Sequence, residues 1–177
     1  MGKKTNKKLN KKNNMKKLIF IALSSAAVLA IAFSIDTPGS PSDNGTKSDN
    51  LRAKKVVDDD IVIPIGDITE TARFYPAKMN GIELEALAVK APDGTIRTAF
   101  NTCQVCYSSG RGYYVQEGDA LVCQNCGNHF STNQVEITRG GCNPVPITDA
   151  YKTVDDDNIT ISKEFLTQAT VIFQNWK

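Results

Sequence analysis

All five cysteines of this 177-residue chain, and its single histidine, lie between residues 103 and 142. Four of the cysteines form two matched pairs, Cys103-Gln-Val-Cys106 and Cys123-Gln-Asn-Cys126, with His129 and Cys142 following. Each pair puts two sulfurs on one tight turn. Two such turns facing each other make a tetrahedral thiolate cage, the donor set that zinc or an iron–sulfur centre takes. One Cys-x-x-Cys says little, but two at this separation point to a metal without saying which. Cys103, Cys106, Cys123 and Cys126 are therefore the expected ligands. Cys142 is a further candidate: it can complete the coordination sphere, serve as a redox-active thiol, or pack as a small buried residue. His129, three residues past Cys126, is a weaker one. It reads first as a surface residue at the end of the ligand turn, with Phe130 pointing inward.

Other chemistries find little support. Without a metal, Cys-x-x-Cys pairs outside the cytoplasm form labile disulfides, which would make the chain a thiol-disulfide oxidoreductase. No βαβ pattern surrounds the pairs, which counts against a thioredoxin fold. No Ser-His-Asp set, phosphate loop or carboxylate pair is present, and one histidine leaves few candidates for acid–base catalysis. The site reads as an electron-transfer or metal-binding centre rather than an enzyme. Tyr107, Tyr113 and Tyr114 flank the cage as packing residues that can also shield it from water.

Something must deliver this site to its place of work. Residues 1–17 carry eight lysines and no acid, and an apolar run of about 18 residues follows over 18–35. A basic flank before such a run stays in the cytoplasm and sends the remainder outward. The run is read as a single-pass transmembrane anchor in the cytoplasmic membrane. The alternative is a signal peptide cleaved near Ala30-Ile31-Ala32, which gives a secreted domain. Residues 36–55, rich in Ser, Pro, Gly, Asp and Asn, read as a flexible tether, and 56–177 as the extracytoplasmic metal-binding domain. Beyond residue 35 there are 13 basic and 19 acidic residues, a net charge of −6. That gives no reason to expect nucleic acid as a partner. The runs Asp58–Asp60 and Asp155–Asp157 read as solvated turns.

The elements that position the cysteines are short strands between turn signals. Ile61–Ile65 is apolar, with Pro64 pointing to a sheet edge. Asn80-Gly81 marks a hairpin between Arg73–Met79 and Ile82–Lys90. Pro92-Asp93-Gly94 turns the chain into Thr95–Phe100, which runs straight into Cys103. Gly112–Gln116 and Ala120–Cys123 form a hairpin around Glu117-Gly118-Asp119. Gly140–Pro146 reads as a rigid loop, followed by strands at Tyr151–Val154 and Ile159–Ile161. Ser162 caps one helix, with Glu164 in its first turn. The fold class expected is mainly β, a small antiparallel sandwich or barrel with two metal loops.

This order resembles the Rieske domain: an Asp-Gly turn, a first ligand loop, a hairpin, a second ligand loop ending in Gly-x-x-Phe, and a proline loop. A Rieske centre uses Cys-x-His and Cys-x-x-His, whereas both pairs here are all cysteine. Histidine ligation raises the Rieske potential, so an all-thiolate site implies a lower potential or a different metal. A closer resemblance is to the FtrD-like family of membrane iron–sulfur proteins, found beside bacterial iron-transport components. It covers roughly residues 60–165. The strings that carry it are Asn101-Thr-Cys-Gln-Val-Cys106, Gly112-Tyr-Tyr114, Val122-Cys-Gln-Asn-Cys-Gly127 and Gly140-Gly-Cys-Asn-Pro-Val-Pro146. The resemblance implies an iron–sulfur cluster as cofactor, membrane-bound iron-transport or redox components as partners, and a role in iron uptake. Many members of the family carry a multi-span membrane domain that this sequence lacks, so an accessory or electron-transfer role fits better than transport itself. The alternative is a structural zinc-binding interaction domain of zinc-ribbon type.

Overall fold

The computed structural model describes residues 51–177. The basic flank, the apolar run and most of the tether lie outside the described residues. Among the described residues, no helix is long and apolar enough to cross a membrane.

Among the described residues, eleven strands form three small, mostly antiparallel sheets. The largest has the order β1-β3-β4-β5-β9, from β1 (Val56–Val57), β3 (Arg73–Met79), β4 (Ile82–Lys90), β5 (Ile96–Cys103) and β9 (Pro144–Pro146). Only β1 runs parallel to its neighbour in it. The second sheet has the order β10-β11-β2, from β2 (Ile61–Pro64), β10 (Thr153–Val154) and β11 (Asn158–Ile161). The third is β6-β7-β8, from β6 (Tyr114–Glu117), β7 (Ala120–Cys123) and β8 (His129–Ser131). The mainly β expectation holds, with the hairpins at Asn80-Gly81 and Glu117–Asp119 where the turn residues put them. Asn80 and Gly81 both have positive φ, as a two-residue hairpin turn of this kind requires. Pro64 lies on β2, which is an edge strand, where its missing N–H leaves no ladder bond unmade.

Strand β4 alternates at its start, Ile82-Glu83-Leu84-Glu85, and becomes continuously apolar over Ala86–Val89, where it enters the core. There it is buried on both faces, and such a strand carries apolar side chains in both directions. Leu84, Ala86 and Ala88 join one core cluster with Ile61, Ile63 and Phe100. Leu87 and Val89 join a second, with Cys103, Tyr114, Cys123 and Phe130. The first cluster is closed by α1 (Lys163–Ala169), whose Leu166 and Ala169 are buried. The Phe165 N–H donates to Ser162 Oγ at 3.3 Å, the N-cap expected, an interaction typically worth about 1 kcal/mol. The second cluster underlies the cysteines.

Three differences from the sequence reading follow from local physics. Pro144–Pro146, expected as loop, is a strand. Proline cannot donate to a ladder, but as the outermost strand of its sheet β9 can still accept, and it pairs with β5 at Ala99, Phe100 and Cys103. His129–Ser131 is a third strand beside the β6–β7 hairpin, too short to show periodicity. Residues 149–151 form a 3₁₀ turn, so the strand expected from Tyr151 begins at Thr153. Arg52, inside the segment read as tether, bridges to Phe74 and reaches the buried Glu85 carboxylate at 2.8 Å. The acidic runs are turns. Asp155 Oδ1 accepts from the N–H groups of Asp157 and Asn158, and Asp58 Oδ1 accepts from that of Asn80.

Candidate metal centre

Three loops converge on the site, and each has its own reason to be there. The first leaves β5 at Cys103. A register shift between Phe100 and Cys103 bends this strand end. The turn that follows is wound around sulfur: the N–H groups of Cys106 and Val105 donate to Cys103 Sγ at 3.3 and 3.5 Å. Gly112 returns the chain against this turn, and the Cys103 N–H donates to its carbonyl at 2.7 Å. A Cβ on Gly112 would stand 2.5 Å from the Cys106 carbonyl oxygen, so only glycine fits.

The second loop leaves β7 at Cys123. Gly127 N–H donates to the Cys123 carbonyl at 2.8 Å, and Cys123 N–H donates to that of Asn128 at 3.0 Å, closing the turn that carries Cys126. Gln124 N–H donates to the Tyr113 carbonyl at 2.8 Å, tying this loop to the return from the first.

The third loop, Gly140–Asn143, is the one whose placement the cysteine spacing does not reveal. Gly140 and Gly141 both have positive φ, turning the chain so that Cys142 faces the other sulfurs. Gln104, between the first two cysteines, clamps it. Its N–H donates to the Asn143 carbonyl at 2.9 Å, its side-chain amide donates to the Pro144 carbonyl at 3.2 Å, and its side-chain oxygen accepts from Gly140 N–H at 3.0 Å. Asn128 Nδ2 donates to the Cys142 carbonyl at 3.3 Å and ties the second loop to the third.

The result is a nest of five thiols, none joined in a disulfide. The sulfurs of Cys103, Cys106, Cys123 and Cys142 all lie within 4.8 Å of one another. Cys142 Sγ is 3.3 Å from Cys103 Sγ and 2.8 Å from Cys126 Sγ. Cys103 and Cys123 are buried, Cys106 and Cys142 half-buried, and Cys126 exposed at the rim. Cys142, left open from sequence, thus sits among the thiols. His129 is exposed, on the face of β8 opposite the buried Phe130, and stands outside the sulfur group. Of the three flanking tyrosines, Tyr114 is fully buried in the cluster beneath the site, Tyr113 is half-buried and Tyr107 more than a third exposed.

The electrostatics favour sulfur anions unevenly. Burial pushes the Cys103 thiol up, but the Tyr114 hydroxyl and the N–H groups of Cys106 and Val105 outweigh it and hold this thiol below its ordinary value. The buried Tyr114 hydroxyl has no aligned hydrogen-bond partner; it faces the Cys103 sulfur. Burial pushes Cys106 up to about 11 and Cys142 further still. The exposed Cys126 is held down at about 7, chiefly by the Cys142 thiol and then by the Asn128 N–H. No acidic residue lies in 101–116 or 120–135, and the Arg111 guanidinium joins the first two loops by donating to the Gln124 carbonyl at 3.2 Å.

These donors suit a thiolate-bound metal centre: all are sulfur, they come from three loops, and backbone N–H groups are aimed at the most buried one. Comparison with known proteins agrees. A family model described as membrane iron-sulfur containing protein FtrD-like matches residues 67–173, more than half of the chain. No curated protein and no solved structure matches.

Proposed function

Since this chain belongs to the FtrD-like family of membrane iron–sulfur proteins, we propose that its cysteine site carries electrons for membrane-bound components of iron uptake, on the outer side of the cytoplasmic membrane. The observation that carries this reading is the convergence of four cysteine sulfurs from three loops within 4.8 Å. An iron–sulfur centre, when bound, supplies one-electron exchange at a potential set by its ligands, nearby hydrogen bonds and solvent exposure.

The chain's own residues supply the rest. Cys103 and Cys123, buried in the second core cluster, fix the inner side of the centre to the central sheet and the β6–β8 sheet. The N–H groups of Val105 and Cys106 offset negative charge on the Cys103 sulfur. The exposed rim, with Cys126 accessible and Val105 62% exposed, leaves one edge open to a redox partner. The succession of Asp-Gly turn, cysteine loop, hairpin, cysteine loop and proline strand supports a Rieske-like arrangement. The basic flank and apolar run support a single membrane anchor with this domain outside.

Growth under iron limitation tests the role. A deletion strain should grow poorly and recover with the wild-type gene, but not with a Cys106→Ser variant that is folded and correctly located. Full recovery with that variant would contradict a role for the centre in iron uptake.

A further inference from the structure

Five thiols gather where four suffice, and the geometry separates the fifth. The set whose sulfurs are mutually close, Cys103, Cys106, Cys123 and Cys142, is complete without Cys126. Yet Cys126 Sγ lies 2.8 Å from Cys142 Sγ. Thiolates on one tetrahedral metal stand about 3.8 Å apart, so Cys126 and Cys142 would have to separate by about 1 Å to bind together, twice the adjustment that the 3.3 Å Cys103–Cys142 pair needs, and this places Cys126 and Cys142 in competition for one corner. They are also within a small movement of a covalent bond, since a disulfide holds its sulfurs about 2.04 Å apart. The two loops that carry them are already joined through the Asn128 side chain and the Cys142 carbonyl. Cys126 is the one exposed thiol of the five, so it meets an external oxidant first.

Building on the iron–sulfur reading above, we propose that Cys142 is the fourth ligand and that Cys126 is a gating thiol, which removes Cys142 from the site by forming a Cys126–Cys142 disulfide. The oxidant is a disulfide of the oxidising space outside the membrane, either a small-molecule disulfide or the active-site disulfide of a thiol oxidase. In the metal-free chain, the Cys126 thiolate attacks one sulfur of that disulfide. A mixed disulfide forms and the first thiol of the oxidant leaves. The Cys142 sulfur then attacks Cys126, forming the intramolecular bond and releasing the second thiol. Two protein thiols are oxidised to one disulfide, and one disulfide is reduced to two thiols. The chain in this state holds only three free cysteines and cannot complete a four-thiolate site. Loading then requires a dithiol reductant to reopen the bond, so an exported chain accepts its centre only where such a reductant is delivered.

The test uses the full chain purified in detergent, stripped of metal and treated with oxidised glutathione. Free thiols should fall from five to three, and peptide mapping should locate one bond, Cys126–Cys142. Anaerobic reconstitution with iron and sulfide should fail on the oxidised chain and recover after dithiothreitol. A Cys126→Ser chain should take up metal to the wild-type level with or without prior oxidation, whereas Cys142→Ser should lose metal as fully as Cys103→Ser does. A bond mapped to Cys103–Cys106 or Cys123–Cys126 would overturn the proposal, as would loss of metal in Cys126→Ser with retention in Cys142→Ser. Should a serine variant fail to fold, the disulfide map of the wild-type chain still decides. If the wild-type chain binds no iron–sulfur centre at all, the functional reading fails, and the disulfide map judges the gate separately.

Discussion

Cys103 and Cys142, 39 residues apart in the chain, bring their sulfurs to 3.3 Å, and the pairing of Cys103 with Pro144 in the central sheet is what aligns them. A strand made of two prolines and a valine thus sets the third loop of the site. The proline loop is part of the metal-binding framework rather than a lid laid over it. Disturbing any of the three loops should therefore be felt by the other two.

Gly112 gives the sharpest mutational case. An added Cβ would meet backbone atoms of Cys106 at 2.5 and 2.6 Å, and backbone has no rotamer to move aside. Gly112→Ala should cost about 1–3 kcal/mol, as overpacking generally does, and should displace the Cys103–Cys106 turn. Chemical denaturation and metal content should fall together. A variant of wild-type stability and full metal content would contradict the packing described.

Tyr114→Phe should act differently. The hydroxyl is buried without an aligned partner, so its removal should change stability little. It faces the Cys103 sulfur and favours the anion, and a hydroxyl dipole beside a cluster sulfur raises the reduction potential. A redox titration of the loaded protein should show a lower midpoint with unchanged metal content. An unchanged midpoint would mean that the hydroxyl serves packing alone.

Thiol reactivity in the metal-free chain should follow the order of the thiolates. Cys126, held down at about 7, is largely ionised above neutral pH, whereas Cys106, pushed up to about 11, stays protonated there. The thiolate is the nucleophile, so the iodoacetamide rate at Cys126 should rise through a midpoint near 7 and level off, while that at Cys106 keeps climbing into the alkaline range. Mass spectrometry of timed samples at several pH values measures both. Labelling of Cys106 ahead of Cys126 at pH 7.5 would contradict this order.

Away from the sulfurs, Glu136 holds the segment that leads into the third loop. Its carboxylate accepts from the Thr98 N–H at 2.8 Å and pairs with the nearly buried Lys152 ammonium at 2.7 Å. Its own φ of +69° is a strained one that these contacts maintain. Glu136→Ala should destabilise the protein by about 3 kcal/mol, because it leaves the buried Lys152 ammonium with the neutral Thr98 hydroxyl at 3.0 Å and, as its one remaining carboxylate, the exposed Asp149 at 3.5 Å. Thermal melts of the two proteins compare them directly.

Much of this was legible in the sequence, for identifiable reasons. Hairpins announced themselves through Asn80-Gly81 and Glu117-Gly118-Asp119, where positive φ demands particular residues, and Ser162 declared the helix start. The two Cys-x-x-Cys turns were visible because the spacing itself makes the geometry. Cys142 was harder to place, since its approach depends on strand pairing between residues far apart in sequence and on the Gln104 clamp, neither of which leaves a periodic signal. Strand β9 carries no strand signal because proline usually marks a loop, and β8 is too short to alternate. The Glu136–Lys152 pair is likewise a product of tertiary contact alone.

These thiolates suit an iron–sulfur centre, as membership of the family implies. Anaerobic purification of the full chain, followed by a visible absorption spectrum with iron, acid-labile sulfide and zinc measured on the same sample, tests it most directly. The protein should be coloured, with absorption that bleaches on reduction, and iron and sulfide should be present together and both lost in Cys103→Ser. A colourless protein carrying one zinc per chain and no labile sulfide would contradict it.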